Sequence, residues 1–236
     1  GRLVEKLLEA GHTLLIHRPL QHRKQAAVQT EKVGCTSPRI REQLGIDHCI
    51  TGHLYNTEQH SSGAVLSRRK LVNLAIEGEL AVELSREPDI QDFREDGIPS
   101  CIRRIFPVIE LHNHVIRGQQ PTAGELIANN AIHAGFVEGT GINSSALSGE
   151  QSLDTAELSI FADGRLLDQC VGPAIVQTIH SSLKWLTTVV RGTGERLRAG
   201  QIILTGSIPP LIPIAENCCL RVDTRPFGTV EAKLVT

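Results

Sequence analysis

Two glutamates, Glu77 and Glu79, interrupt the aliphatic run IEGELAVEL at residues 76–84. Alternate side chains of a strand point to opposite faces. Ile76, Leu80, Val82 and Leu84 therefore turn one way, and Glu77, Glu79, Ala81 and Glu83 the other. If the acid face is wet, the pair is an ordinary solvated surface. If it is buried, like charges this close either raise one pKa or are neutralised by a metal ion or a basic side chain. A third acid, Glu110, stands between Ile109 and Leu111 in a second apolar strand pattern, PVIELHNHVI. Three carboxylates suit a hard divalent cation such as Mg²⁺ or Mn²⁺, which prefers oxygen ligands. By the same alternation His112 and His114 share a face with Glu110. That H-x-H beside a carboxylate could take zinc or iron, or the two rings could face solvent or each other.

The elements that must carry these residues belong to an ordinary soluble globular chain. Its 236 residues are 40% hydrophobic and 21% charged, with a net charge of -2. The short basic clusters His22-Arg23-Lys24 and Arg68-Arg69-Lys70 are isolated, so nucleic acid is not an expected partner. No apolar run is long enough to span a bilayer, and no membrane partner is expected. The six cysteines form no C-x-x-C pair, and no secretory leader is read ahead of them. Reduced thiols in a cytoplasmic protein are the expectation.

A helix is expected at residues 3–10, ended by Gly11. A second has Ser37 as N-cap, Pro38 in its first turn and Gly45 as stop. Lys32 lies just before it, in a short strand or loop. Residues 63–84 read as strands, REPDIQDFREDG as a surface excursion and residues 107–116 as a strand. A helix follows from Pro121-Thr122 to about residue 130. Asp163-Gly164 is a two-residue hairpin turn, and the longest helix runs from about residue 173 to 191. QIILTGS is a buried strand ending in a loop, and LRVDTRPFGTVEAKLV is a closing hairpin. GTGERLRAG joins a helix to a strand, the reverse of a dinucleotide-binding loop, and is set aside. Cys218-Cys219, Cys35 and Trp185 read as packing residues. Strands outnumber helices without regular βαβ alternation, which predicts an α+β fold with a mixed, mainly antiparallel sheet. The expected division is an N-terminal helical region at residues 1–52 and a β-rich region at 53–236, forming one compact unit.

The segments EKVGCTSPRIREQLGID, GHLY, SGAVL, IEGELAVEL, PVIEL, NNAIHAGFVEG, FADGRLL and AGQIILTGSIPPLIPI occur in an order and spacing that resemble the 2-keto-4-pentenoate (2-hydroxypenta-2,4-dienoate) hydratases. The 4-oxalocrotonate decarboxylases are close relatives within the fumarylacetoacetate hydrolase superfamily. The resemblance covers nearly the whole chain. It implies a β-roll-like fold with flanking helices, and Mg²⁺ or Mn²⁺ held by Glu77, Glu79 and Glu110. It further implies Lys32 as the catalytic proton-transfer or substrate-positioning residue, with a lowered pKa. Thr205, Gly206 and Ser207 of the LTGS loop, with Asn129 and Asn130, would border the substrate. That substrate would be a small 2-keto or 2-hydroxydienoic acid, handled by a cytoplasmic homo-oligomer in aromatic-compound catabolism.

Several positions depart from the family pattern. Ile50 and Thr51 stand where hydratases commonly carry an acid, and Asn113, His114 and Val115 where an acid, a small residue and an arginine are usual. Asn129 replaces an aspartate, and Ile132 and His133 replace small hydroxyl residues. An Asn can hold a water but cannot act as its base. Metal-dependent hydration is the main expectation; a 4-oxalocrotonate-type decarboxylase and a keto-acid-binding protein with weakened catalysis stay open beside it.

Overall fold

The computed structural model describes residues 28–94, 97–116, 121–147 and 153–236. The helix expected at residues 3–10 and the basic cluster at 22–24 lie outside the described residues. The strands are β1 (Val28–Gly34), β2 (Ile50–Tyr55), β3 (Gln59–Ser61), β4 (Ala64–Ser67), β5 (Leu74–Leu84), β6 (Ile102–Asn113) and β7 (His133–Glu138). They continue with β8 (Ile142–Asn143), β9 (Glu157–Ala162), β10 (Arg165–Val171), β11 (Ile202–Leu204), β12 (Ile212–Pro213), β13 (Cys218–Arg225) and β14 (Gly228–Val235). The helices are α1 (Pro38–Leu44), α2 (Ala123–Ala128) and α3 (Ala174–Gly192). None of the described helices is long and apolar enough to cross a membrane.

The larger sheet runs β2-β1-β11-β5-β6-β7-β3, with β12 also on β5 and β8 on β6. The smaller runs β10-β9-β13-β14-β4. Among the described residues only β1 with β11, β3 with β7 and β4 with β14 pair in parallel. The fold is therefore α+β with mixed, mainly antiparallel sheets.

The β5–β6 ladder is the spine, with Glu77 opposite Glu110 and Leu80 opposite Pro107. Its even-numbered β5 side chains Ile76, Leu80, Val82 and Leu84 enter the main core. That core also takes Ile160, Leu220 and Val222 from the smaller sheet and the stripe Ile175, Ile179, Leu183, Leu186 and Val190 of α3. The stripe recurs every three or four residues, the spacing of one helix face. Gly78 faces the same way, and a Cβ there would come within 2.8 Å of Ile160. A hydrogen at this position lets the two sheets close over β5.

β6 begins five residues earlier than the strand read from Pro107 and stops at Asn113, short of residue 116. A proline is normally excluded from a central strand because it has no N–H to give the ladder. Here Pro107 falls where β6 exchanges one neighbour for another: β7 pairs from Val108 onward and β8 pairs at Arg104 and Ile105. Its carbonyl still accepts from the Gly139 N–H at 2.9 Å.

Local punctuation follows the chemistry of the sequence. Gly45 caps α1 in the left-handed conformation at φ 64°, and Thr122 with Glu125 forms a reciprocal capping box on α2. Asp163 and Gly164 both take positive φ in the turn between β9 and β10.

Candidate metal centre

The acid face of β5 is not wet. Glu79 is 1% exposed and Glu110 1%, while Glu77 is half-buried. Ala81, Phe106, Val108, Phe136, Ile202, Leu204 and Leu54 form a second apolar cluster on this side. Glu83, further along the same face, leaves the group and pairs with Arg103 and Arg104.

Lys32 enters from β1. It is buried, and its Nζ donates to Glu110 Oε1. Opposite it on β2 is Gly52, where a Cβ would meet Lys32 Cγ at 3.0 Å and the Asn130 carbonyl oxygen at 3.1 Å. The glycine thus gives the lysine stem its passage. Burial by itself would lower the Lys32 pKa, but Glu110, Glu77 and Glu79 together hold it above the ordinary lysine value. This corrects the lowered value expected: three carboxylates outweigh desolvation.

The carboxylates divide their roles. Glu110, despite burial, is held well below the usual range by Lys32, His112 and His133. Glu79 is pushed well above it, first by burial and then by the charge and proximity of Glu110 and Glu77. One Glu79 oxygen accepts from the Gly206 N–H. The other, Oε1, is buried without a hydrogen-bond partner among the described residues. A single lysine cannot balance three acids, and a buried, unpartnered carboxylate oxygen beside two further carboxylates fits a divalent cation.

Two histidines join the carboxylates, one of them, His133, not singled out from the sequence as a site residue. His133 Nδ1 lies 2.6 Å from Glu110 Oε1, and burial lowers its pKa. His112 Nε2 lies 3.1 Å from Glu77 Oε2 and 3.6 Å from Glu110 Oε2. His114 sits beyond the end of β6, so the H-x-H pair does not form one face. The alternation that put His112 beside Glu110 was legible; nothing local marked His133, which starts β7.

The remaining expected residues are placed as follows. Asn130 is clamped to β2, accepting from the His53 N–H at 2.7 Å and donating to the His53 carbonyl at 2.8 Å. Asn129 caps α2 and donates from its side chain to the Glu125 carbonyl. Asn130, Ala131 and Ile132 all have positive φ, between 52° and 56°. Three consecutive left-handed residues, one of them β-branched, are costly, and this turn delivers His133. The Thr205 hydroxyl donates to the Leu80 carbonyl at 2.7 Å and the Ser207 hydroxyl to Pro209 at 2.8 Å. Gly206 has φ 89°, and a Cβ there would lie 2.4 Å from Thr36. The LTGS loop therefore offers the site a backbone N–H, at Gly206, while the hydroxyls of Thr205 and Ser207 secure its shape.

No protein-family model matches the chain. It is 26% identical over 217 residues to the 2-keto-4-pentenoate hydratase of Burkholderia vietnamiensis, covering 92% of this chain and 82% of that protein. The fold matches 4-oxalocrotonate decarboxylase from Pseudomonas putida G7, solved with magnesium and adipate, with TM-score 0.78 at 23% identity over 89% of this chain and 79% of that one. It also matches fumarylpyruvate hydrolase from Pseudomonas aeruginosa, solved with Mn²⁺ and pyruvate, with TM-score 0.66 at 11% identity over 87% and 88%. Similarity running along nine-tenths of the chain relates it to a 2-keto-4-pentenoate hydratase, and its fold is the one seen in 4-oxalocrotonate decarboxylase and fumarylpyruvate hydrolase.

Proposed function

We propose that this protein is a divalent-metal-dependent hydro-lyase that adds water to 2-hydroxypenta-2,4-dienoate or similar 2-keto-4-pentenoate-like acids in aromatic-compound catabolism. The observation that carries the reading is the buried Glu79 oxygen left without a partner beside Glu77 and Glu110. Glu77, Glu79 and Glu110 would hold Mg²⁺ or Mn²⁺. A divalent ion there supplies Lewis acidity toward the carboxylate and 2-oxygen of an α-keto acid.

The chain's own groups do the rest. Lys32 keeps its proton on Nζ, where an ammonium can orient an anionic substrate or return a proton to it. The Gly206 N–H fixes the Glu79 carboxylate. Ile50, Leu126, Ala131 and Ile132 form an apolar cluster on the β2 side, which keeps water away from that flank. Substrate contacts by the LTGS loop and by Asn129 and Asn130, a cytoplasmic location and a homo-oligomeric assembly belong to the same proposal.

A second reading is favoured by Ile50. It is 3% exposed and packed among apolar residues, so that position supplies no group to activate water. Decarboxylation of a 4-oxalocrotonate-like acid needs no such group. The test follows the conjugated absorbance of 2-hydroxypenta-2,4-dienoate with and without Mg²⁺ or Mn²⁺, in the parent and in Glu79→Ala, with product mass. Metal-dependent decay to a water adduct, lost in the variant, supports hydration. No decay with this substrate, together with CO₂ release from a 4-oxalocrotonate-like acid, supports decarboxylation. Keto-acid binding without any product would leave a binding protein.

A further inference from the structure

We propose that His112 is itself a ligand of this centre, and that its nitrogen makes the site prefer a first-row transition ion over Mg²⁺. The inference rests on the reading of Glu77, Glu79 and Glu110 as metal-holding residues and adds a nitrogen to that all-oxygen set.

The geometry is compact. One ligand atom each from Glu77, Glu110 and His112 fall within 4.8 Å of one another. His112 is 3% exposed and lies two residues after Glu110 on the same face of β6, opposite Ala75 in the ladder. The small Ala75 side chain leaves the imidazole room to lean along the strand toward Glu77. Nε2 is the nitrogen that faces both carboxylates. Nδ1 has no hydrogen-bond partner among the described residues, so nothing at that nitrogen opposes a change of tautomer. In the metal-free site a hydrogen on Nε2 would point at Glu77 Oε2, 3.1 Å away. With a cation on the two carboxylates, Nε2 would serve as ligand in the tautomer that carries its proton on Nδ1.

The chemical consequence is selectivity. Mg²⁺ demands oxygen donors in near-ideal octahedral geometry and keeps its waters. Imidazole suits zinc, copper, iron and nickel, and affinity rises from Mn²⁺ through Fe²⁺, Co²⁺ and Ni²⁺ to Cu²⁺ before falling back at Zn²⁺. A ligand set of carboxylates plus one imidazole therefore ranks Mn²⁺, Fe²⁺, Co²⁺ and Zn²⁺ above Mg²⁺.

The test uses Mn²⁺ as probe on the metal-stripped full chain. Pulsed electron paramagnetic resonance reads nitrogen coupled to bound Mn²⁺, with ¹⁵N-histidine labelling to assign it to imidazole, and calorimetric titration gives the affinities for Mn²⁺, Zn²⁺ and Mg²⁺. The parent is expected to show histidine nitrogen coupling. His112→Leu and His112→Gln should still bind Mn²⁺ but lose that coupling, and the Zn²⁺-over-Mg²⁺ preference should fall at least about tenfold. The parent measurement stands even if both variants fail to fold. Bound Mn²⁺ without nitrogen coupling would overturn the inference while leaving the carboxylate centre intact. Coupling that survives in His112→Leu would overturn it in favour of His133. No Mn²⁺ binding at all would overturn both this inference and the metal-dependent function.

Discussion

Lys32 and Glu110 form a buried ion pair although β11 and β5 lie between their strands in the sheet order. The pair neutralises one acid of the centre, and among the described residues Glu77 and Glu79 have no lysine of their own. Glu110 and Glu79 therefore differ in what they do for the metal-free fold.

Glu110→Gln strands a buried ammonium and replaces the charged acceptor beside His133 with a neutral amide. Loss of one partner of a buried pair costs about 3–5 kcal/mol, and urea denaturation of the metal-free protein should show it. Glu79→Gln removes a carboxylate crowded by two others and keeps an acceptor for Gly206. Its metal-free stability should stay within about 1 kcal/mol of the parent, or exceed it, while Mn²⁺ binding falls sharply. Equal destabilisation by the two variants would contradict the division of roles.

Gly206→Ala puts a methyl group against Thr36 at a backbone angle that favours glycine. The expected cost is about 1–3 kcal/mol, with weaker Mn²⁺ binding because the N–H that steadies Glu79 moves. Thermal melts and calorimetry read the two effects separately. A variant with parental stability and affinity would mean that the loop re-forms without its glycine.

Asn130→Ala removes both hydrogen bonds to His53 and the side chain best suited to a left-handed residue. A loss of about 1–3 kcal/mol is expected, with the larger functional effect on Lys32 and His133, which flank the turn. Asn130→Gly, which keeps the backbone freedom, should recover part of the stability but not the clamp on β2. Proteolytic susceptibility of the 129–133 turn, rising in both variants, is the measurement.

Asp92 gives a pH dependence outside the centre. Burial opposes its charge, but Arg86, the Asp89 N–H and Ser100 bring its pKa down from 3.8 to about 2. A folded pKa below the unfolded one contributes stability above the unfolded value, lost as pH falls through the folded one. Asp92→Asn should thus cost about 2 kcal/mol near neutral pH, and the difference from the parent should shrink between about pH 4 and pH 2. Denaturation series of the two proteins across that range decide it; a pH-independent difference would point to lost packing instead.

Alternation, turn chemistry and caps are properties of neighbouring residues, so the sequence itself determined that Glu77 and Glu79 share a face, that Asp163-Gly164 turns a hairpin, and that Gly45 and Thr122 bound helices. The order of motifs further placed the chain among metal-binding relatives, and the acids it singled out do converge in space. Which face of β5 is buried was another matter, because burial depends on what the far strands bring to it. Only the tertiary structure set Lys32 against Glu110, turned His133 into the site through three left-handed residues, and parted His112 from His114 by ending β6 between them. It also left a Glu79 oxygen without a partner. Charge balance in a buried centre is a sum over distant segments, and no local pattern contains that sum.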